Sequence, residues 1–324
     1  MDLFPKYYYL IIFLLLSVGM FIYLKIAEKW LIVDQPNLRS SHQITTKRGA
    51  GILYLLAFVI YLMVSPNNNL TLILSGLILG GVGFIDDLKN LNFKIKLAIQ
   101  LIVIISYLIV QDYLSLDWYY TILIFVFLIA SINIFNFMDG INGLTILYSL
   151  SFLMSFYYIN TEFTSFINPN ILLVMIICNI IIGFLNIRTK AVCFIGDVGS
   201  ISMGFLYATL ALILMIKTNS FAPLVLIMVY AVDAGWTIME RLSLKENIFL
   251  PHRRHLYQIF VNELRFSHIL ISISYFTIQM LLNMVWLLNY ENENSGIFLS
   301  TTFIILSICY LTIKKAVLKK LEKS

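Results

Sequence analysis

The chain has 324 residues, of which 60% are hydrophobic and only 12% are charged. A soluble domain carries about 25% charged residues. So few polar residues cannot cover an aqueous surface, which excludes a water-soluble enzyme with one core, a disordered scaffold and a secreted disulfide-rich module. The cysteines are Cys178, Cys193 and Cys309, an odd number, and no disulfide framework is expected.

Eleven apolar runs predict an all-α, polytopic integral membrane protein with about 11 transmembrane helices. A spanning helix needs about 20 apolar residues to cross roughly 30 Å of hydrocarbon. The first run lacks a small-residue cleavage site and is therefore predicted to be an anchor rather than a signal peptide. The runs lie at about 7–26, 49–65, 70–85, 95–111, 119–135, 143–159, 170–187, 199–216, 221–239, 268–288 and 297–313.

The distribution of Lys and Arg predicts the orientation, because these charges resist transfer to the outer side. With the N-terminus outside and the C-terminus inside, only Lys6 and Lys217 of the 22 Lys and Arg residues remain outside. All four histidines also fall on the inner side. The chemistry is therefore expected at the cytoplasmic face. The same bias explains the net charge of +5, so the charge indicates contact with anionic lipid and not with nucleic acid.

Each inner segment holds one unusual polar cluster, and together they predict active-site loops on a single membrane domain spanning 1–324. The loops lie at about 27–48, 86–94, 136–142, 188–198 and 241–267. The small residues in 47–51 allow a helix to begin close against another segment, although an ordinary hydrated loop is the alternative. Gly80-Gly81-Val82-Gly83 predicts close helix packing rather than a phosphate-binding loop.

Asp86 and Asp87 end an apolar run, where the negative end of a helix would disfavour two carboxylates. Neighbouring lysines could offset their charge, as could a divalent metal or a phosphate-bearing substrate. Asp197 lies between glycines at the start of another run. An acid in that place is either a helix cap or part of a metal and diphosphate site, and taken alone the cap is favoured.

Asn133 and Asn136 are three residues apart and would share one face of a helix, either as caps or as ligands. The loop from His252 to Gln258 contains two arginines and two histidines, which suit phosphate oxygens or, alternatively, lipid head groups. Carboxylates repel a diphosphate unless a hard cation lies between them. The combined clusters therefore suit a nucleotide diphosphate bound together with Mg²⁺.

These motifs, in this order, resemble those of the polyprenyl-phosphate N-acetylhexosamine-1-phosphate transferases of glycosyltransferase family 4. The resemblance runs from about residue 34 to residue 258. The loop from His252 to Gln258 resembles that of the polysaccharide and O-antigen initiators more than the triple-histidine loop of the peptidoglycan enzyme. The motifs are Asp34-x-Pro36 with Arg39 and His42, Arg48-Gly49, Asp86-Asp87 with Lys96 and Gln100, Asn133 to Leu144, Phe194 to Ser200 and the His-Arg loop.

The resemblance implies transfer of an N-acetylhexosamine 1-phosphate from its UDP ester to undecaprenyl phosphate, with release of UMP. It implies Mg²⁺, with Mn²⁺ as an alternative, a bacterial inner membrane location and a homodimer. A peptidoglycan lipid transferase and, from another class, a polyprenyl-linked glycan transporter are the alternatives. A transporter would carry ionisable groups near the midplane. Asp233 is the only acid well inside an apolar run, and it has no assigned role.

Residue roles are likewise implied by the resemblance. Asp197 would be the main magnesium ligand and Asn136 the second. Phe194 would stack on uracil, beside Asn142 and Asp139. The remaining roles are Asp86 and Asp87 at the lipid phosphate, Lys96 at phosphate, His252, Arg253, Arg254 and His255 over the diphosphate and sugar, and His42 and Arg48 at the inner rim.

Overall fold

Each apolar run predicted from the sequence forms a helix. The structure, a computed structural model, describes residues 3–36, 41, 44–65, 69–247, 252–290 and 295–322. Short 3₁₀ segments at Tyr113–Ser115 and Ala222–Ile227 precede two of the helices. The helices are α1 (Lys6–Lys29), α2 (Ile52–Val64), α3 (Leu70–Lys89), α4 (Phe93–Val110), α5 (Trp118–Met138), α6 (Leu144–Glu162), α7 (Pro169–Asn186), α8 (Gly196–Thr218), α9 (Met228–Ser243), α10 (Leu256–Asn262), α11 (His268–Leu287) and α12 (Ser295–Leu321).

Nine helices of the described residues are long and apolar enough to cross a membrane. The predicted all-α, polytopic class is therefore confirmed. The two other predicted runs form α2 and α6. With 13 residues, α2 covers only about 20 Å at 1.5 Å per residue. The 19-residue α6 is long enough but is not among the nine apolar helices, and it buries several serines together with Asn160. Eleven crossings therefore remain a prediction.

The central helix is α8, and the outer helices turn apolar side chains away from the protein. In the most apolar 18-residue stretch of each helix, 83% is buried in α8 and 17% in α12. Ile304, Ile305 and Ile308 of α12 are all exposed. Large exposed apolar side chains at this density would be unstable in water, and they suit contact with lipid.

Glycines allow α8 to approach its neighbours closely. A Cβ atom on Gly83 of α3 would lie 2.6 Å from the Asp197 carbonyl oxygen at the start of α8. Gly51, just before α2, likewise touches the backbone of Gly199. The close helix packing predicted for the glycines before Asp86, and the close helix start predicted for 47–51, are therefore confirmed. This packing brings the C-terminal end of α3 to the N-terminal end of α8.

A small antiparallel sheet joins distant parts of the chain at this end of the bundle. Strand β1 (Val33–Asp34) pairs with β2 (Thr46–Lys47). Strand β2 and the residues after it also bond to 193–195. The Phe194 amide donates to the Lys47 carbonyl at 2.8 Å, and the Gly51 amide donates to the Ile195 carbonyl at 2.9 Å. The sequence predicts a loop over about 27–48, because strands of two residues leave no periodic pattern. The sheet fixes Arg48 beside Asp197.

Candidate active site at one end of the helix bundle

A pocket of about 300 Å³ opens where the predicted inner segments meet. Five predicted site residues line it, namely Arg48, Asp139, Asn142, Phe194 and Asp197. Segments far apart in the chain thus converge on one cavity. The remaining lining residues are Asp34, Ser41, Gly140, Ile141, Asn186, Ile195, Gly196, Gln258 and His268.

A cluster of two cations and three carboxylates lies at one side of this pocket. The Asp197 carboxylate contacts the Arg48 guanidinium at 3.4 Å and the Lys96 ammonium at 3.2 Å. Lys96 also bonds to Asp86 at 2.6 Å, so one ammonium joins both carboxylates. Arg48 pairs with Asp87 at 2.6 Å. We call Arg48, Asp86, Asp87, Lys96 and Asp197 the ionic cluster. These pairs are strong because each is shielded from solvent and assisted by charge.

Asp87 caps a helix to which it does not belong. Its two carboxylate oxygens accept from the backbone amides of Asp197 at 2.9 Å and Val198 at 3.2 Å, at the start of α8. Its side chain is completely buried. The positive end of α8 therefore provides the charge that a carboxylate at the end of α3 requires. The interpretation of Asp197 as the cap is wrong, because no side chain of its own segment caps α8 and its carboxylate points to Arg48 and Lys96.

Gly196 leaves room for the Asp87 carboxylate at the start of α8. Its φ of +71° lies in the left-handed region, and a Cβ atom there would overlap the Asp87 carboxylate. Only glycine combines that backbone conformation with the open space the carboxylate occupies. The glycine before Asp197 thus serves packing between α3 and α8, which the sequence pattern did not reveal.

Asn136 and Asp197 supply oxygen atoms that could hold a metal. The Asn136 amide nitrogen donates to the Ser200 hydroxyl at 3.0 Å, so its amide oxygen remains as the ligand atom. Ser200 is three residues after Asp197 and lies on the same face of α8. No group of three or more His, Cys, Asp or Glu residues suited to a metal occurs in the described part of the chain. Mg²⁺ needs few protein ligands when phosphates and water complete its shell, so one carboxylate and one amide oxygen are the kinds of ligand that it would need here.

The opposite side of the pocket is shaped by amides and by one histidine. The Asn142 side chain donates to the Arg188 carbonyl at 2.8 Å. Its backbone amide donates to His268 Nδ1 at 3.2 Å, and the other ring nitrogen of His268 contacts the Ser41 carbonyl oxygen at 3.1 Å. Asn186 accepts from the Gly143 amide at 2.7 Å. Sequence reasoning missed Asn186 and His268 as lining residues, since each lies at the end of an apolar run without a neighbouring motif.

In the His-Arg loop, Arg254 and His255 bond to carboxylates outside the pocket. Arg254 pairs with Glu240 at 3.2 Å and with Glu246, and His255 is buried against Asp233. Burial, with the nearby positive groups, lowers the pKa of His252 to about 3, so that ring is neutral. None of the residues from His252 to His255 lines the cavity, whereas Gln258 does. His42 lies outside the described residues.

Asp139 gives the pocket a pH-dependent charge. It accepts from the Thr145 hydroxyl at 2.7 Å, and burial raises the pKa of its carboxyl to about 7. In the unfolded chain that pKa is about 3.9. The folded state therefore binds more protons between these values and loses stability as the pH rises through them. We expect the melting temperature in detergent to fall from about pH 5 to about pH 8, and to fall less in Asp139→Asn. Equal slopes in the two proteins would contradict this.

The lining of the pocket is predominantly acidic. Three carboxylates line it, from Asp34, Asp139 and Asp197, against the one guanidinium of Arg48 among the described residues. A diphosphate would be repelled by such a lining unless a bound cation lay between them. Phe194 offers an aromatic ring at the same wall. The arrangement can hold a ring, a diphosphate and a hard cation together.

Sequence comparison gives an independent result. The family model described as glycosyl transferase family 4 matches residues 69–215. An undecaprenyl-phosphate alpha-N-acetylglucosaminyl 1-phosphate transferase of Salmonella typhi is 28% identical, with 76% of this chain and 74% of the relative covered. The enzyme of that name from Thermotoga maritima is 25% identical, with 77% and 80% covered. A probable undecaprenyl-phosphate N-acetylglucosaminyl 1-phosphate transferase of Bacillus subtilis is 26% identical, with 72% and 70% covered.

The alignment to the Salmonella typhi relative covers 76% of this chain, which is more than residues 69–215 alone. Arg48, Gln258 and His268 line the pocket although they lie outside residues 69–215. The ionic cluster is otherwise contained in the matched part, from Asp86 to Asp197. The family match and the longer alignments agree that the chain is similar to glycosyl transferase family 4.

Proposed function

We propose that this protein transfers N-acetylglucosamine 1-phosphate, or that of a related amino sugar, from its UDP ester to undecaprenyl phosphate, releasing UMP. The names of the curated relatives support this activity and favour it over the peptidoglycan lipid transferase. The observation that carries the proposal is the ionic cluster beside a pocket that also presents Phe194 and Asn142. Its pathway would be the initiation of a cell-surface polysaccharide such as O-antigen.

The pocket residues divide between the nucleotide and the phosphates. Phe194 would stack on uracil, and Asn142 and Asp139 would bind the uridine, because all three line the same cavity. Arg48 and Lys96 would bind phosphate oxygens, since each already bridges two carboxylates and can exchange one of them for a phosphate. The predicted roles of His252, Arg253 and His255 over the diphosphate would require the loop to turn toward the pocket.

Asp197 and Asn136 would hold Mg²⁺, or Mn²⁺ in its place. When bound, the metal would neutralise charge on the diphosphate and polarise its bridging oxygen. Lys96 then has a second task, since its ammonium bonds to both the Asp86 and the Asp197 carboxylates and offsets their mutual repulsion. Asp86 is the carboxylate placed to orient the lipid phosphate, because Asp87 is occupied by the start of α8.

The reaction exchanges one phosphoanhydride for another, so it should be nearly thermoneutral. The lipid phosphate oxygen attacks the phosphorus attached to the sugar, and UMP leaves with its electron pair. The protein would accelerate this step by orienting the two anions and offsetting their charge rather than by driving it. Hydrogen bonds already engage both acids of the Asp86-Asp87 pair, which supports a role in positioning rather than in covalent attack, since Asp86 accepts from the Leu91 amide and bonds to Lys96. Direct transfer is therefore favoured.

The topology proposed for this activity has eleven crossings, an outer N-terminus and an inner C-terminus. The ionic cluster joins the C-terminal end of α3 to the beginnings of α4 and α8. The distribution of Lys and Arg requires these three helix ends to lie on one inner face. The active site would face the cytoplasm of a bacterial inner membrane, with all of 1–324 in one domain. A homodimer is part of the proposal. A glycan transporter is disfavoured by the relatives' names.

The test is UMP release from purified protein. UDP-N-acetylglucosamine, undecaprenyl phosphate and Mg²⁺ should together yield UMP and a lipid-linked diphosphate sugar. Because transfer is direct, omitting the lipid should abolish both UMP release and exchange of labelled UMP into the donor. UDP-N-acetylgalactosamine and UDP-glucose serve as alternative donors. Absence of UMP with every donor would overturn the proposed function, and exchange without lipid would overturn direct transfer.

A further inference from the structure

Asp233 lies in α9, away from the ionic cluster, and its carboxylate is surrounded by donors. It is 2% exposed. Its Oδ1 accepts from the Leu256 amide at 3.1 Å and from His255 Nδ1 at 3.2 Å, while Oδ2 accepts from the Tyr275 hydroxyl at 2.6 Å. Asp233 is about 15 Å from the end of α9 at Ser243, given 1.5 Å per residue. The loop before α10 therefore reaches into the bundle to meet it.

His255 depends on Asp233 for its orientation. The imidazole is 1% exposed and lies between two rings, with centroids 4.9 Å from His252 and 5.6 Å from Tyr257. Its Nδ1 carries the proton in this pair, because a carboxylate can only accept. Its Nε2 has no hydrogen-bond partner in the described ranges. The bond to Asp233 thus fixes the ring.

The helix that follows His255 carries the contacts to the pocket. The Tyr257 hydroxyl donates to the Phe137 carbonyl at 2.9 Å, and its ring lies over Gly140, a lining residue. Gln258 lines the pocket itself and also accepts from the His255 amide at 3.3 Å. Because α10 has only 7 residues, it cannot hold a fixed position by its own stability. The position of Gln258 therefore depends on how the helix is anchored.

Helix α12 completes the anchor from the other side. The Tyr310 hydroxyl lies 3.3 Å from Asp233, and Lys314, which is 5% exposed, donates to Tyr310 at 3.0 Å. Lys314 also pairs with Glu240, whose other oxygen pairs with Arg254 of the loop. A buried lysine and a buried aspartate are costly to retain. Here they connect the C-terminal helix to the segment that borders the pocket.

We propose that Asp233 is a positioning residue for the transferase reaction, which through His255 holds α10 and thereby places Gln258 and Tyr257 at the donor-binding pocket. This inference rests on the proposed function. Asp233 is outside the part of the chain that the family model matches, and it touches no lining residue directly. It acts through His255 and α10. A role confined to folding would instead change stability without changing the affinity for one substrate.

The experiment measures donor and lipid KM separately for variants in detergent. Asp233→Ala should raise the KM for UDP-N-acetylglucosamine about ten-fold, the loss expected for a hydrogen bond to a charged group. The KM for undecaprenyl phosphate and kcat should change little. His255→Ala should have the same effect. The double variant should be no worse than Asp233→Ala, because that substitution already removes the contact to His255. Asp233→Asn, which keeps a weaker acceptor, should be intermediate and remains informative if the alanine variant fails to fold.

Tyr275→Phe is the matched control, since it removes a hydrogen bond from the same carboxylate but leaves both loop contacts on Oδ1. It should lower the melting temperature and leave the donor KM unchanged. If wild-type protein releases UMP but the Asp233 and His255 variants keep the wild-type donor KM, the positioning role is overturned and the proposed function stands. If wild-type protein releases no UMP, the proposed function is overturned, and this inference with it.

Discussion

Asp197→Ala is expected to reduce UMP release roughly a thousand-fold, as loss of a group that stabilises developing charge does elsewhere. Asp197 is the carboxylate shared by Arg48 and Lys96 at the pocket, and it is the proposed main metal ligand. Removing it would take away the carboxylate proposed to hold Mg²⁺ beside the diphosphate. The fold should survive, because Lys96 keeps Asp86 at 2.6 Å and Arg48 keeps Asp87 at 2.6 Å.

Initial rates and thermal unfolding should be measured together for this variant. Asp197→Asn keeps the volume and one oxygen ligand, and it should lie between wild type and Asp197→Ala. Raising the Mg²⁺ concentration should recover part of the Asp197→Asn rate if the lost group binds metal. Glu162→Ala removes an exposed carboxylate at the end of α6 and should match wild type in both measurements. Asp197→Ala with a normal rate would show that the proposed mechanism is wrong.

Asp87→Ala is expected to destabilise the folded protein. Asp87 thus has a different role from Asp86, its neighbour in the sequence. The substitution leaves two amides at the start of α8 without their acceptor and takes the closer carboxylate from Arg48. We expect a loss of about 2 to 4 kcal/mol, less than for a fully buried pair because Arg48 retains Asp197. The substitution should also weaken the packing between α3 and α8 at Gly83 and Gly196, where the two helices are in contact.

Thermal unfolding in detergent is the measurement for Asp87→Ala, with Asp86→Asn as the comparison. Asp86→Asn retains an acceptor for the Leu91 amide and leaves the start of α8 unchanged, so its melting temperature should fall less. Asp86→Asn should lower the rate of UMP release strongly and the melting temperature only slightly. The two neighbouring acids would then have different phenotypes. Equal stability losses in Asp86→Asn and Asp87→Ala would contradict the assignment of the cap to Asp87 alone.

The sequence predicted the helices well because each apolar run is a local property. All eleven runs are helical, and the glycines before Asp86 do pack closely against another helix. The five predicted site residues Arg48, Asp139, Asn142, Phe194 and Asp197 line one pocket, since a resemblance of ordered motifs carries information about distant contacts, and their roles stay predictions. The span count was less secure, because α2 is short and α6 is polar enough to depend on its neighbours.

Several contributors to the pocket could not be predicted from local patterns. Gln258 enters through the short helix α10, and His268 begins an apolar helix in which a polar first residue is unremarkable. Asp87 looked like a second copy of Asp86, yet it caps another helix 110 residues away in the chain. These contacts join segments with no sequence relation to each other.

What the sequence alone determined is a helical membrane protein with its polar groups gathered at one end, because hydrophobic length and charge distribution act residue by residue in a bilayer. Only the tertiary structure decided which of two adjacent acids bonds to Lys96 and which supports α8. It also gave Asp233 a partner in His255, 22 residues further along. The physical reason is that a carboxylate's role follows from the donors within about 3 Å of it, and those are set by how the helices pack.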